Sequence, residues 1–186
     1  MTAVDRRHVP AVAVVVDPVI SPDLVAEVVD LWVRVTDAGG AVGFTCPTDA
    51  ATVRPVAETS LGQVAAGHDT FVGLTGENGR LVAWCILEGS PSALRRHWRM
   101  VVRVMVDPEV QGARLGSRLM DAAHEVARRD LGLEALVLQV RGGTGVEEFY
   151  RRAGYEVVGR IPGAIRLGDG DEDDRDEILM WRSLEA

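Results

Sequence analysis

The chain has 186 residues, of which 47% are apolar, and this size and composition predict a single α/β domain over residues 1–186. A net charge of −8 argues against a general nucleic-acid-binding protein, and no run of about 18 apolar residues is present that would suggest a membrane partner. The opening residues lack the apolar segment of a secretory signal, and there are two cysteines, so we expect a reduced, cytoplasmic protein.

The first half of the chain is expected to begin with a loose arm over residues 1–10. Ser21 followed by Pro22 is typical of a helix start, because the hydroxyl caps free amides and proline suits the first helical position. Turn-rich residues over 76–79 separate two β-branched segments and predict a hairpin. The predicted elements are a strand over 9–16, a helix from Pro22 to Gly39-Gly40, a helix from Thr48-Asp49 to about Ala66, and strands over 71–74 and 81–87.

The second half alternates strands and helices, which predicts a mixed sheet with helices on both faces, in the α/β (α+β) class. The acidic run over 169–177 is expected to be a solvated loop, and its spacing does not match a calcium-binding loop, so no metal is predicted. The predicted elements are a strand over 98–106, a helix from about Arg114 to Leu131-Gly132, a strand over 135–140, a short helix around Val146–Ala153, and strands over 155–160 and 178–183.

Charge is distributed unevenly along the chain. Residues 91–160 contain 12 Arg and 9 acidic residues, a net of +3, whereas the remainder has a net of −11. A positive middle suits a centrally bound anionic ligand, with a cationic substrate approaching elsewhere. The alternative is that these arginines lie on exposed helix faces and the acids aid solubility.

The segment Val104–Met120 carries the most informative motif. A strand leads into a short turn that contains small residues and then into a helix starting at about Arg114. Helix N-termini have free N–H groups and partial positive charge, and small residues let a diphosphate come close to them. Neither a Gly-Lys-Ser/Thr phosphate loop nor a G-x-G-x-x-G fingerprint is present.

Gln111–Gly116 (QGARLG) resembles the Q/R-x-x-G-x-G/A motif of the GCN5-related N-acetyltransferase (GNAT) superfamily. Arg114 replaces the middle glycine, which is compatible with the motif if its φ is helical. The resemblance implies the GNAT fold and acetyl-CoA as co-substrate, with strand backbone groups bonding the pantetheine arm. The cofactor-binding residues that it implies are Met105, Val106, Gln111, Gly112, Ala113, Arg114, Leu115, Gly116 and Ser117. Arg151, on the predicted short helix that follows, is a further candidate.

A second segment, Val146–Glu156, resembles the A-x-x-F/L-Y-x-x-x-G-F/Y motif of the same superfamily. By that correspondence Tyr150 is the general acid that protonates the departing CoA thiolate. Gly143 stands where many members have an asparagine, so no side-chain contact to pantetheine is expected there. The alternative is that Tyr150, beside Phe149, is an ordinary core residue.

Acetyl transfer to an amine also requires a base and a donor to the carbonyl oxygen, which a backbone N–H near Val106 could supply. The glutamate that is frequent in the superfamily on the strand before the motif is missing from 99–103. His97 and Glu88 are the nearest titratable candidates for the base. For each, the alternative is an ordinary surface residue, and many members use a water chain instead.

The resemblance covers about residues 70–183 and implies an N-acetyltransferase acting on a primary amine of a small molecule. Gly39–Phe44 and Gly159–Gly163 are similar to a branch that contains tabtoxin-resistance acetyltransferases, which favours antibiotic- or toxin-like acceptors. Homodimers are common in the superfamily. Two alternatives stay open: a CoA-binding sensor or scaffold without turnover, and a protein or peptide N-acetyltransferase.

Overall fold

The structure, a computed structural model, describes residues 11–185, so the predicted arm over 1–10 lies outside the described residues. The helices are α1 (Pro22–Asp37), α2 (Ala50–Ala65), α3 (Leu115–Glu125) and α4 (Val146–Arg152). The strands are β1 (Ala13–Val16), β2 (Thr70–Thr75), β3 (Leu81–Glu88), β4 (Trp98–Val106), β5 (Ala135–Arg141), β6 (Glu156–Ile165) and β7 (Arg175–Ser183).

The seven strands of the described residues form one sheet in the order β1-β2-β3-β4-β5-β7-β6. Neighbouring strands are antiparallel except β4 and β5, which run parallel. That parallel ladder joins Trp98–Met100 to Ala135–Val137 and goes no further. Beyond it β4 continues beside β3, and β5 continues beside β7. The sheet is therefore split at one end, between its two central strands.

Helices cover both faces of the sheet, which confirms the predicted class. On one face, Trp32 of α1 packs edge-on against Trp84 of β3 with ring centroids 5.6 Å apart, and Phe71 stacks on Trp84. On the other face, α3 buries Leu119 and Met120 against the sheet. The core beneath α3 includes residues from both halves of the split sheet, such as Val101 of β4 and Leu138 of β5, and its burial holds the two halves together.

The starts of the first two helices are as predicted. The Ser21 hydroxyl accepts the Leu24 N–H at 3.2 Å, and the Asp49 carboxylate accepts the Thr52 N–H at 2.8 Å. Both are N-cap bonds, which satisfy amides that the helix itself leaves free. The end of the third predicted helix is also close to its predicted place, because a π-helical turn over Val126–Asp130 continues α3.

The last two strands are longer than predicted. β6 extends to Ile165 instead of Arg160, and β7 begins at Arg175 instead of Ile178. Asp176, at the start of β7, can occupy a strand because Arg160 neutralises it, with a bond of 2.9 Å between them; Asp174, just before β7, accepts from the Arg166 guanidinium. Part of the predicted acidic loop is therefore strand.

Leu119→Ala tests the core between α3 and the sheet. Leu119 is fully buried, so we expect the free energy of unfolding to fall by about 2–5 kcal/mol from lost transfer energy and the cavity left behind. Leu94→Ala is the matched control, because Leu94 is 87% exposed and its loss should change stability by less than about 0.5 kcal/mol. Urea unfolding measures both, and equal losses would contradict this packing.

Candidate active site

A cleft of about 1320 Å³ occupies the gap where β4 and β5 separate. Pockets for a single drug-sized ligand are usually about 300–1,000 Å³, so this cleft has room for two reactants. Its walls come from the end of α1 and the following loop, β4, the turn before α3, the end of β5, the start of α4, and residues 165–167.

The turn between β4 and α3 presents main-chain amides to the cleft. Gly112 and Arg114 both have left-handed backbone, with φ of 86° and 58°. Such alternation makes successive N–H groups converge into a concavity that binds anions. The amides that line the cleft and have no acceptor among residues 11–185 are those of Gly112, Arg114, Leu115, Gly116 and Ser117. Gln111 also lines the cleft.

Arg114 does not have the helical φ that the sequence analysis required of it. Its φ of 58° and ψ of 19° are left-handed, and α3 begins one residue later at Leu115. A non-glycine residue in this conformation costs roughly 1–2 kcal/mol, which explains why glycine is the more usual residue in this motif. The side chain is exposed, and no ion pair joins it to any described residue, so its guanidinium is available to a ligand.

Gly116 is required for close packing behind the turn. A Cβ built on it would lie 3.3 Å from the Phe149 ring of α4 and 3.7 Å from Val106 of β4. The glycine therefore lets α3 approach both elements and fixes the direction in which the amides point. Ala113, by contrast, does not line the cleft and packs against the core.

At the open edge of β4, the backbone groups of Val106 and Met105 point to opposite sides of the strand. The Asp107 N–H bonds the Val82 carbonyl at 2.8 Å, and Met105 stands opposite Trp84. Because an antiparallel ladder alternates, the backbone groups of Met105 face β3, and those of Val106 face the cleft. Val106 lines the cleft and Met105 is buried. This pairing argues against the predicted contact of Met105 with the pantetheine arm, and the predicted contact of Val106 stays a prediction.

An ion pair between Asp107 and Arg34 joins the turn after β4 to α1. Asp107, 2% exposed, accepts the Arg34 guanidinium at 2.5 Å and the Glu109 N–H at 3.1 Å. Burial alone would raise the pKa of Asp107, but the hydrogen bond and charge of Arg34 outweigh burial and lower it. The pair therefore stays ionised and holds the end of β4 in place.

Tyr150 of α4 lines the cleft, with 7% of its surface exposed. Its ring packs against Phe149 and Tyr155, with centroids 5.0 and 5.8 Å away. Burial, and secondarily the nearby Cys85, raise the pKa of Tyr150 well above its ordinary value of 10.0. A protonated phenol at the cleft wall fits a proton donor, and the same contacts also make it part of the core.

One wall of the cleft contains an arginine of β4 whose guanidinium lies over an aromatic ring of α1. Arg103 lies at a bulge in β4 with φ of 57°, and its guanidinium is 4.7 Å from the Trp32 ring centroid. Its Nε donates to the Ser60 hydroxyl at 3.0 Å. Burial lowers the pKa of Arg103, although the charges of Glu88 and Asp69 act in the opposite direction. The guanidinium stays protonated, because its ordinary pKa is so high.

The opposite wall contains a carboxylate that the sequence analysis missed. Glu177 of β7 lines the cleft and accepts the Gln139 side-chain N–H at 3.3 Å. Arg141, its partner across the strands, also lines the cleft. The strand alternation could have found Glu177: Ile178 and Met180 are buried against α3, so Glu177 projects from the other face. Glu177 falls instead within the predicted acidic loop over 169–177, which is why it was not a predicted site residue.

Besides Met105 and Ala113, three further predicted site residues do not line the cleft. His97 is exposed and precedes β4, roughly 30 Å of strand away from Val106. Glu88 is exposed at the end of β3 opposite Met100 and does not line the cleft. Arg151 is half exposed on α4 and pairs with Glu147 at 3.3 Å. The geometry therefore does not support His97 and Glu88 as bases or Arg151 as a phosphate ligand.

Two further findings concern the described part of the chain. Within residues 11–185 no cluster of three or more His, Cys, Asp or Glu side chains could hold a metal ion. Over the same residues, no helix combines the length and the apolar character needed to cross a bilayer.

The mixed sheet, split between β4 and β5 and flanked by helices on both faces, matches the GNAT fold that the sequence motifs implied. Residues 66–157 match the family model described as an acetyltransferase (GNAT) domain. The matched segment contains β4, the amide-bearing turn, β5 and α4, which form much of the cleft, whereas α1 and residues 165–167 lie outside it. The chain therefore belongs to the GNAT acetyltransferase superfamily.

Solved structures share the fold over nearly the whole chain. A candidate phosphinothricin N-acetyltransferase is 18% identical with a TM-score of 0.72, covering 94% of this chain and 100% of its own. A chimeric spermidine N-acetyltransferase from Vibrio cholerae is 12% identical (TM-score 0.70, coverage 92% and 95%). The ribosomal-protein-S18-alanine N-acetyltransferase from Escherichia coli is 17% identical (TM-score 0.66, coverage 94% and 96%). At sequence identities this low, the similarity to these structures shows a shared fold and says nothing about substrates.

Arg34→Met tests the fastening of the turn. At pH 7 we expect the free energy of unfolding to fall by roughly 3 kcal/mol, because buried Asp107 loses its charged partner. The penalty should shrink on acidification: Asp107 protonates first in the variant, whereas the wild type keeps the pair until the pH falls through a pKa below 3.8. Urea unfolding between about pH 7 and 3 measures this difference.

Arg54→Met is the matched control for this experiment. Arg54 is an exposed arginine of α2 that pairs with Glu58 at 3.6 Å, and such surface pairs contribute less than about 1 kcal/mol. A penalty for Arg34→Met that equals the control, or that stays constant with pH, would show that the Arg34–Asp107 pair does not hold the turn.

Proposed function

We propose that the protein transfers the acetyl group of acetyl-CoA to a primary amine of a small molecule. The observation that carries this proposal is the set of free amides at Gly112 and residues 114–117, in the lining of the same cleft as Tyr150 and Glu177. One end of the cleft suits a diphosphate, and the rest has polar groups suited to proton transfer next to an amine. Membership in the GNAT superfamily supports the same reading.

The chain offers acetyl-CoA three kinds of contact. The converging amides before α3, at the positive end of the helix, suit the diphosphate. The exposed Arg114 guanidinium, beside these amides, suits a phosphate oxygen. The outward-facing backbone of Val106 suits the amide-containing pantetheine arm, which would lie along β4 where β5 has moved away.

The reaction needs two proton transfers, and the cleft contains a group for each. The free amine attacks the thioester carbonyl, a C–N bond forms, and the C–S bond then breaks. Glu177 would accept the proton that the nitrogen loses, and the Tyr150 hydroxyl would give a proton to the departing thiolate. Glu177 thus takes the role that the sequence analysis had considered for His97 and Glu88.

Tyr150→Phe tests the acid. Losing the only proton donor in that role should lower kcat by about 10²–10⁴-fold, while KM for acetyl-CoA changes little. The assay is release of free CoA thiol with a panel of small amines. Tyr155→Phe is the matched control, because Tyr155 touches Tyr150 but bonds His124 and does not line the cleft. Equal kcat values for wild type and Tyr150→Phe would remove Tyr150 from the mechanism.

Glu177→Gln tests the base. We expect kcat/KM for the amine to fall by about 10²-fold or more near pH 7, where most alkyl amines, with pKa about 10, are protonated. The loss should shrink as pH rises, because a larger fraction of the amine is already neutral. Glu172→Gln, an exposed acid outside the cleft, is the control. Parallel pH profiles for Glu177→Gln and wild type would argue against a base at this position.

The same assay separates the competing functions. Binding of acetyl-CoA without thiol release on any small amine or peptide would indicate a sensor, and release with peptides alone would indicate a protein N-acetyltransferase. Glu177 weakens the case for the sensor, since a carboxylate is present in the cleft although β4 supplies none.

A further inference from the structure

Arg103 has an environment that its role in the fold does not explain. It lies at the bulge where β4 begins to separate from β5, in a left-handed backbone conformation that is costly for any residue except glycine. Its guanidinium lies over Trp32 and lines the cleft. A side chain held at such a cost beside a cleft is a candidate for ligand contact.

The guanidinium is incompletely paired. Of its five N–H donors, only the one on Nε has an acceptor among residues 11–185, the Ser60 hydroxyl. Glu88 and Asp69 influence it through their charges, yet neither forms an ion pair with it in the described part of the chain. A partly buried cation is costly unless an anion completes its hydrogen bonds, and the two Nη groups are available for a bidentate contact.

Arg103 and the Glu177–Gln139 pair line the cleft from the two sides of the gap between β4 and β5. Met100 and Val137 are the last paired residues of β4 and β5; Arg103 comes three residues after the first, and Gln139 two residues after the second. Both side chains are on the face covered by α1 and α2: Arg103 contacts Trp32, and Gln139 alternates with residues buried beneath α3. A ligand at this point meets a positive group on one wall and a carboxylate on the other.

We propose that the acceptor is a dipolar amine, an amino acid whose carboxylate binds Arg103 while its amine lies near Glu177. The proposal rests on the proposed function and adds a substrate class to it. A polyamine would place a second cation against Arg103, and a plain alkylamine would leave the guanidinium without an anion. The wall on which Arg103 sits is therefore what selects among amines.

The test uses pairs of acceptors that differ in one carboxylate: phenylalanine and phenethylamine, tyrosine and tyramine, leucine and isoamylamine, alanine and ethylamine. Thiol release from acetyl-CoA gives kcat/KM for each. In at least one pair we expect the wild type to prefer the amino acid by about 10–100-fold, the effect of a hydrogen bond to a charged group. Arg103→Gln should bring that ratio close to one, and Arg103→Lys should restore part of it.

Arg54→Gln is the control, because Arg54 is exposed on α2, outside the cleft. The preference for the amino acid over its amine should be unchanged in this variant. KM for acetyl-CoA and the thermal unfolding temperature are followed in every variant, so that a general loss of structure is recognised. Turnover of amines with equal kcat/KM across every pair would overturn the dipolar acceptor and leave the acetyltransferase intact.

A measurement that needs no turnover separates the two proposals further. Calorimetric titration of each amino acid and its amine into the CoA-saturated protein should show tighter binding of the amino acid, lost in Arg103→Gln. Absence of any such difference would overturn this inference even if thiol release is never detected. Failure of CoA itself to bind would instead overturn the proposed function.

Discussion

β4 and β5 share hydrogen bonds for only three residues, and the remaining features of the cleft depend on where that pairing stops. β4 continues beside β3, and β5 continues beside β7, so each keeps one partner while a gap opens between them. The gap exposes one backbone edge of β4 and provides space for two reactants. A fully paired central sheet would satisfy those backbone groups internally and leave no binding edge. The bulge at Arg103 lies within this gap, so the site and the interruption in pairing have one origin.

Several contacts hold the turn after β4 at the mouth of the gap. The Arg34–Asp107 pair joins the end of β4 to α1, and Gly116 lets α3 approach Phe149 so closely that a Cβ would crowd the ring. The turn is thus held in place by contacts with α1 and α4, so an anion that binds there as proposed would require no reorganisation of the amides. Preorganised donors of this kind bind more tightly than mobile ones, because the ordering cost is met during folding.

The parts of this site that depend on local sequence could be predicted, and those that depend on pairing between distant strands could not. Helix caps such as Ser21 and Asp49 act within three residues, and the turn before α3 is likewise a local motif. Glu177 enters the cleft only because β7 pairs with β5, so a search for a base near the motif in sequence selected His97 and Glu88 instead. The left-handed conformation of Arg114 was not foreseen, because residues other than glycine rarely adopt it.

The proposed function depends on a diphosphate binding to the main-chain amides of Gly112 and residues 114–117. A crystal structure of the protein soaked with coenzyme A tests this most directly. We predict diphosphate oxygens within hydrogen-bonding distance of those amides, with the pantetheine arm along Val106 and its thiol directed toward Tyr150. Coenzyme A bound elsewhere, with the turn before α3 free of any phosphate, would contradict the account.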